Sequence, residues 1–492
     1  MPTNPNAVLS PAEARHLLRR TGFGAPADKL QTLLSRYRTR GAAADWLLNF
    51  KPAAFKPRGK NIDAVHDRWI KYMITAPQPF QEKLVLFWHD HFATGNDKVE
   101  NPPLMANQNQ LLRRSCTGNF KDLVKAVNRD AAMMEYLDTV RNRKRQPNEN
   151  YARELQELFT LGVTDHNGHT TYAQDDIVQI ARALTGWDYD AKGRPEFNAE
   201  RHDTTEQFPE RGAKVIYRAH GGFGSAGRDF TQPGGEGPAE IDQVVDIIFE
   251  HRDSDGQNTV ARHIARKLFA YFAYADPSRE VLDAIVADAA FDTTWSISAL
   301  LRAIIVHDAF YETAIPAPAS GGTPKSVTWP VDHVVSTLRL LKMKLKSSNQ
   351  YINYSSRTPI RSYLASMGQV LFQPPSVFGW DWEQGWVSSA TLLARYDFAT
   401  DVIAARGSGS TAFRPEKLVD LALTDAGAIV DAVTGVLGVT DQFTSSERAA
   451  LLDYLTDGNP AAPVDLRDDG VRNTKLHGLF GLVLQSPAYQ VH

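Results

Sequence analysis

Apolar residues recur every three or four positions along most of the chain, the period of a helix with one buried face. In the first half, runs that begin at prolines or small polar residues predict helices over residues 11–20, 26–49, 62–75, 79–93, 119–128 and 131–140. Two more, 150–161 and 173–185, are closed by Gly162 and Gly186, the residue type that most readily turns left-handed beyond a helix end. The pattern breaks at Trp187. From there to Pro238, glycine, proline, aspartate and aromatic residues crowd together, with a short strand-like piece at 214–217. An irregular stretch of that length is usually functional or disordered, and its aromatic residues (Trp187, Tyr189, Phe197, Phe208, Tyr217, Phe223, Phe230) favour an ordered one.

Helical periodicity resumes over 240–251, 258–273, 279–290, 296–306 and 330–345. A second irregular stretch, 372–387, carries Phe372, Pro374-Pro375, Phe378, Trp380, Trp382 and Trp386, and helices close the chain after a linker at 407–411. The expected fold class is mainly α: a large multi-helix array with two irregular excursions rich in aromatic residues, glycine and proline, and minor β. The expected organisation is an N-terminal helical region (1–190) holding polar core motifs, the excursion (191–238), a second helical region packing on the first (239–405), and a C-terminal helical region (406–492).

Two of these helices place polar groups where apolar ones belong. The segment 80–92 is apolar nearly all round, which implies a helix enclosed by protein. Its His89 and His91, two positions apart, project to roughly opposite sides and cannot easily share one metal ion; His91 lies on the face of Phe80, Leu84 and Phe87. In 150–161, Tyr151, Leu155, Leu158 and Leu161 mark an apolar face; Glu154 falls within it, Glu157 sits at its edge, and Arg153 and Gln156 take the opposite side. A carboxylate buried without a partner costs several kcal/mol, so Glu154 is either a paired structural acid or a functional group.

A histidine with carboxylates from different helices is a recipe for a metal or acid/base site. His91, Glu154, Glu157 and Arg153 are therefore the candidate catalytic residues, and His91 with Glu154 the candidate ligands of a divalent metal. Asn148-Glu149-Asn150 reads as a cap and loop brace. Trp380 and Trp386, with His202 from the first excursion, would shape a substrate site, against ordinary core packing as the competing reading of the tryptophans. His202-Asp203 and His220-Gly221-Gly222-Phe223-Gly224 offer ligand-type side chains and pliant backbone, but no nucleotide fingerprint, HExxH or Gly-x-Ser-x-Gly elbow occurs.

Composition narrows the partners. With 42% hydrophobic and 23% charged residues among 492, the chain is an ordinary globular protein. A net charge of −3 signals no polyanion, so nucleic acid is not an expected partner, and the run Arg141-Asn142-Arg143-Lys144-Arg145 reads as a solvated loop. The single cysteine, Cys116, excludes an intrachain disulfide and any multi-cysteine metal site. No apolar run approaches the ~18 residues of a membrane span and the first residues do not read as a leader, which points to the cytoplasm, or to the periplasm or secretion if a leader has been removed.

Several of these segments together resemble the bacterial family catalogued as domain of unknown function (DUF) 1800. They are His16-Leu17-Leu18-Arg19-Arg20-Thr21-Gly22-Phe23-Gly24, Phe87-Trp88-His89-Asp90-His91-Phe92, and the long run from Asn148 to Gly162. Others are Ala181-Arg182-Ala183-Leu184-Thr185-Gly186-Trp187, His202-Asp203, Met367-Gly368-Gln369, Pro374-Pro375, Gly379-Trp380 and Ser486-Pro487-Ala488-Tyr489. The resemblance implies a mostly helical fold and brings no agreed activity. Relatives often carry export signals and lie beside genes for a sulfatase-like family, which implies an envelope role and a sulfatase-like protein as partner; this chain departs from them in lacking a visible leader. Two readings stand open: a metal-assisted or acid/base enzyme with its site near His91 and Glu154, or a non-catalytic scaffold acting with a protein partner.

Overall fold

Many of the helices in this protein start with a side chain that captures a free backbone N–H. The structure, a computed structural model, describes residues 3–231, 236–313, 325–343, 352, 358–405, 412–459 and 462–491. Ser10, Asn61, Asn101, Asn258 and Ser278 each accept a hydrogen bond from the backbone two or three positions into the helix that follows, satisfying donors that the helix itself leaves free. The fold is mainly α, with two small antiparallel ribbons: Trp187–Tyr189 pairs Pro195–Phe197, and Val215–Ile216 pairs Arg228–Asp229.

Several boundaries differ from the periodic pattern. Residues 26–49 form two helices, Ala27–Arg36 and Arg40–Leu48, because Thr39 caps the second by accepting from Ala42 N at 3.3 Å. The helix expected over 150–161 stops at Glu157: the amides of Leu158 and Phe159 both turn back to the Glu154 carbonyl, and those of Leu161 and Gly162 to Gln156, winding the end into a wide turn. Pro102–Ser115, a helix that the pattern did not single out, starts on Asn101 and packs along Pro79–His91. The linker expected at 407–411 and the end of the helix expected to reach 345 lie outside the described residues.

Helix Pro79–His91 is the hub. From Phe80 to His91 every residue is buried, as its all-round apolar pattern requires. Its polar residues nonetheless each hold a different part of the chain. Glu82 meets Arg113 of helix Pro102–Ser115 through two N–O contacts of 2.6 Å and accepts from Trp69 Nε1 at 2.8 Å. Lys83 pairs with Asp332 of helix Pro330–Leu340. His89 Nε2 accepts from Phe372 N at 3.0 Å, and His91 Nε2 lies 3.2 Å from the Phe159 carbonyl oxygen. Asp90 accepts from Trp380 N at 2.8 Å and Trp382 Nε1 at 3.1 Å. Burying these charges is costly, and removing one partner costs more than the pair is worth, so the polar hub penalises any register but this one.

The first helix, Pro11–Thr21, docks beside the hub by the same logic. Arg20 donates to the carbonyls of Phe272 and Tyr271 at 2.7 and 2.8 Å, and Arg19 to that of Gly438 at 2.8 Å. Helix Asn150–Glu157 packs on Gln174–Ala183, and Ser389–Ala404 on His477–Gln485 toward the end of the chain. Among the described residues, no helix is long and apolar enough to cross a membrane.

Candidate functional site

The candidate residues divide between two places. His91 sits inside the hub, its ring parallel to Phe87 at 6.0 Å and edge-on to Phe92 at 4.5 Å. Burial first, and then the nearby Lys267 charge, hold it well below the usual histidine range, so it is neutral at pH 7. Its Nδ1 is buried without a hydrogen-bond partner among the described residues. The charges acting on Glu154 are Glu157 and Arg153, not the His91 group, and no hydrogen bond joins Glu154 and His91. Among the described residues, no group of three or more His, Cys, Asp or Glu is disposed to hold a metal ion, so the expected pair of metal ligands is not completed by a third.

Glu154, Glu157 and Arg153 do come together. Asn142 Oδ1 accepts from Asn148 N at 2.8 Å and Asn148 Oδ1 from Asn150 N at 2.9 Å, a chain of loop braces that sets the start of helix Asn150–Glu157. Tyr151, whose hydroxyl donates to Asn128 Oδ1, and Leu155 then anchor its inner face. Gln156, expected on the outer side, is fully buried: its Oε1 accepts from the Tyr217 hydroxyl at 2.9 Å, because the excursion folds back over that side of the helix. Periodicity within a helix cannot see a partner arriving from sixty residues away.

On the remaining, half-exposed face Arg153 lies 3.4 Å from Glu149 and 3.5 Å from Glu157, and donates to Gln174 Oε1 at 3.2 Å. Glu157 accepts from the Tyr172 hydroxyl as well. Glu154 has neither: its Oε2 is buried with no hydrogen-bond partner among the described residues. Burial first, and then the neighbouring Glu157 charge, push its carboxyl up to about 6, with Arg153 pulling the other way. Two carboxylates one helical turn apart therefore stand in different environments, one compensated and one not. Tyr136 faces the same region, its hydroxyl pushed up by burial and by Asp97 and Glu154. Next to the start of the helix, Arg141, Arg143, Arg145 and Glu149 line a hollow of about 560 Å³, so the exposed basic run shapes a surface as well as carrying charge.

The other candidates are enclosed. His202 Nδ1 lies 2.9 Å from the Thr185 carbonyl oxygen and its Nε2 3.1 Å from Glu240, which also pairs Lys214 at 2.6 Å; Asp203 pairs Arg182 at 3.1 Å and Arg211. Trp380 packs on His89 with ring centroids 5.3 Å apart, and Trp386 on Trp329 at 5.4 Å; both are buried. His220 lines a separate hollow of about 690 Å³ with Asp165 and His169.

Sequence reasoning passed over Asp90 and Lys267. Burial pushes the Asp90 carboxyl up to about 6, although Trp380 N, Lys267 and Trp382 draw it down, and burial brings Lys267 down to about 8 against the pull of Asp90. Asp90 stands between the two histidines that were noticed, and its position beside Gly379-Trp380 is visible only in three dimensions. Gly379 has φ +86°, and a Cβ there would come within 2.9 Å of the Asp90 carbonyl oxygen, so this contact requires glycine.

The architecture defines a helical protein whose short polar motifs interlock around one buried helix. Residues 16–491 match the family described as protein of unknown function (DUF1800), and the chain belongs to that family. No curated protein and no solved structure matches it.

Proposed function

We propose that this protein is an enzyme that works by acid/base chemistry on the outer face of helix Asn150–Glu157, with Glu154 as proton donor and Glu157 as its partner carboxylate, held by Tyr172 and Arg153. The observation that carries the reading is the Glu154 carboxyl: half-exposed, with one oxygen buried and unpartnered, and pushed up to about 6. A carboxyl with that value carries a transferable proton near neutral pH, whereas an ordinary surface glutamate does not. Arg153, bridging Glu149 and Glu157, is a positioning residue, and Tyr172 holds the Glu157 carboxylate in place. The arginine-lined hollow at the start of the helix supports a substrate that bears negative charge. His91 lies behind this face, holding the Phe159 carbonyl and with it the turn that ends the helix.

The test begins with carboxyl NMR of the full chain. Glu154 should titrate near 6, and Glu154→Gln should remove that titration while the protein stays folded. Turnover screened over anionic esters and glycosides should fall at least a hundredfold in Glu154→Gln. A Glu154 that titrates near 4.5, or a turnover that survives the substitution, removes the assignment.

A second reading, a scaffold that acts with a protein partner, is favoured by one feature. Phe378 is 70% exposed and Val387 47% on the segment that Asp90 braces from inside, and Leu393, on the helix Ser389–Ala404 that follows, is 60% exposed. The partner implied by the family resemblance is a sulfatase-like protein. Co-purification that is lost in Phe378→Ser/Leu393→Ser would support this reading; co-purification indifferent to it would not.

A further inference from the structure

At the opposite end of the hub helix from His91 lies a cavity of about 410 Å³, room for on the order of a dozen waters. Its walls include Phe23, Trp46, Leu47, Pro79 and Phe80. The Thr21-Gly22-Phe23-Gly24 stretch at the end of the first helix turns along one side, and Gly24 is required there: its φ is +84°, and Leu340 would lie 2.7 Å from a Cβ. This is a built pocket of the size that small-molecule sites have, and neither the acid/base site nor the hub bracing uses it.

One cation is set into its lining. Arg339, half-buried on helix Pro330–Leu340, spends Nη1 entirely on the end of helix Ile62–Thr75, donating to the carbonyls of Met73 at 2.8 Å, Ile74 at 2.9 Å and Ala76 at 3.2 Å. Those carbonyls fix the plane of the guanidinium and supply only the partial negative charge of a helix C-terminus. Its Nε and Nη2 donate to no group among the described residues, and no carboxylate there lies within ion-pair distance of it. An oriented guanidinium with its Nε–Nη2 edge unspent matches two oxygens of one carboxylate side-on.

We propose that this cavity binds a small amphipathic carboxylate, its apolar body against Phe23, Trp46 and Phe80 and its carboxylate paired two-to-two with the Nε–Nη2 edge of Arg339. Asp28 and Lys29, both exposed in the lining, offset each other, so the net positive charge of the cavity is that of Arg339. The site is distinct from that of Glu154: no residue of helix Asn150–Glu157 is in its lining.

The experiment titrates the full-length protein with phenylacetate, octanoate, their amides and phenyl phosphate, read by heat of binding and by thermal stabilisation. At least one acid should saturate below about 1 mM and bind at least tenfold tighter than its amide. Arg339→Met should lose at least tenfold for the acid and leave the amide unchanged, with Arg339→Lys in between. Amide and acid binding equally, or neither acid saturating, overturns the proposal. Phenyl phosphate binding more tightly than both acids overturns the assignment of a carboxylate. The comparison of acid with amide uses the wild type, so it decides the matter even if the Arg339 variants do not fold. Loss of the Glu154 assignment would leave these outcomes unmoved.

Discussion

Replacing Arg113 by methionine isolates the cost of the polar hub. Arg113 and Glu82 have no side-chain exposure, and two contacts of 2.6 Å join them. Methionine approximates the aliphatic part of the arginine stem, so the loss is charge compensation of Glu82 together with the hydrogen bonds to Asn109 Oδ1 at 2.7 Å and the Phe55 carbonyl at 3.1 Å, which both variants share. Glu82 is left inside with Trp69 Nε1, at 2.8 Å, as its remaining donor. Breaking a buried pair from one side costs roughly 3–5 kcal/mol. The double variant Glu82→Gln/Arg113→Met removes both charges and keeps an acceptor for Trp69, and it should regain at least about 2 kcal/mol of that loss, because the penalty lies in the orphaned charge. Denaturant unfolding followed by far-UV circular dichroism gives both numbers. If the single variant is as stable as the double at pH 7, the claim that the hub holds register by paired buried charge is wrong.

Burial holds His66, His89 and His263 down to about 3, below their unfolded-state value near 6.5, so the unfolded chain takes up protons first as pH falls and stability is lost below about 6.5. His66→Leu, which removes a ring whose Nε2 is buried and unpartnered, should cut the proton uptake on unfolding at pH 5 by close to one; an unchanged slope refutes it. Gly379→Ala should lower stability by roughly 1–3 kcal/mol and shift tryptophan emission to the red as Trp380 and Trp382 leave Asp90; an unaltered spectrum and midpoint would show that the contact is slack. Cys116, buried and with its thiol pushed up to about 12 chiefly by burial, should resist thiol reagents in the native protein and react at once in denaturant; prompt labelling of the native form would contradict its burial.

The helical class of the fold, the enclosure of the segment 80–92 and the caps of most helices were legible in the chain, because hydrophobic period and capping chemistry act over a few residues. Glu154, by contrast, was expected on the apolar face, and it stands instead on the half-exposed one with Arg153 and Glu157, because Gln156 takes the buried side. Tertiary structure decided the rest. It divided 26–49 into two helices, buried Gln156 under Tyr217, and enclosed His202 among Glu240, Lys214 and Thr185. It also gave Asp90 its partners, Trp380 and Trp382, from some 290 positions away in the chain, and left Arg339 with an open edge on a cavity. Local sequence determines which side chains a helix presents. Whether a presented charge is compensated, strained or free to act depends on what another segment brings within 3 Å of it, and no periodicity carries that information.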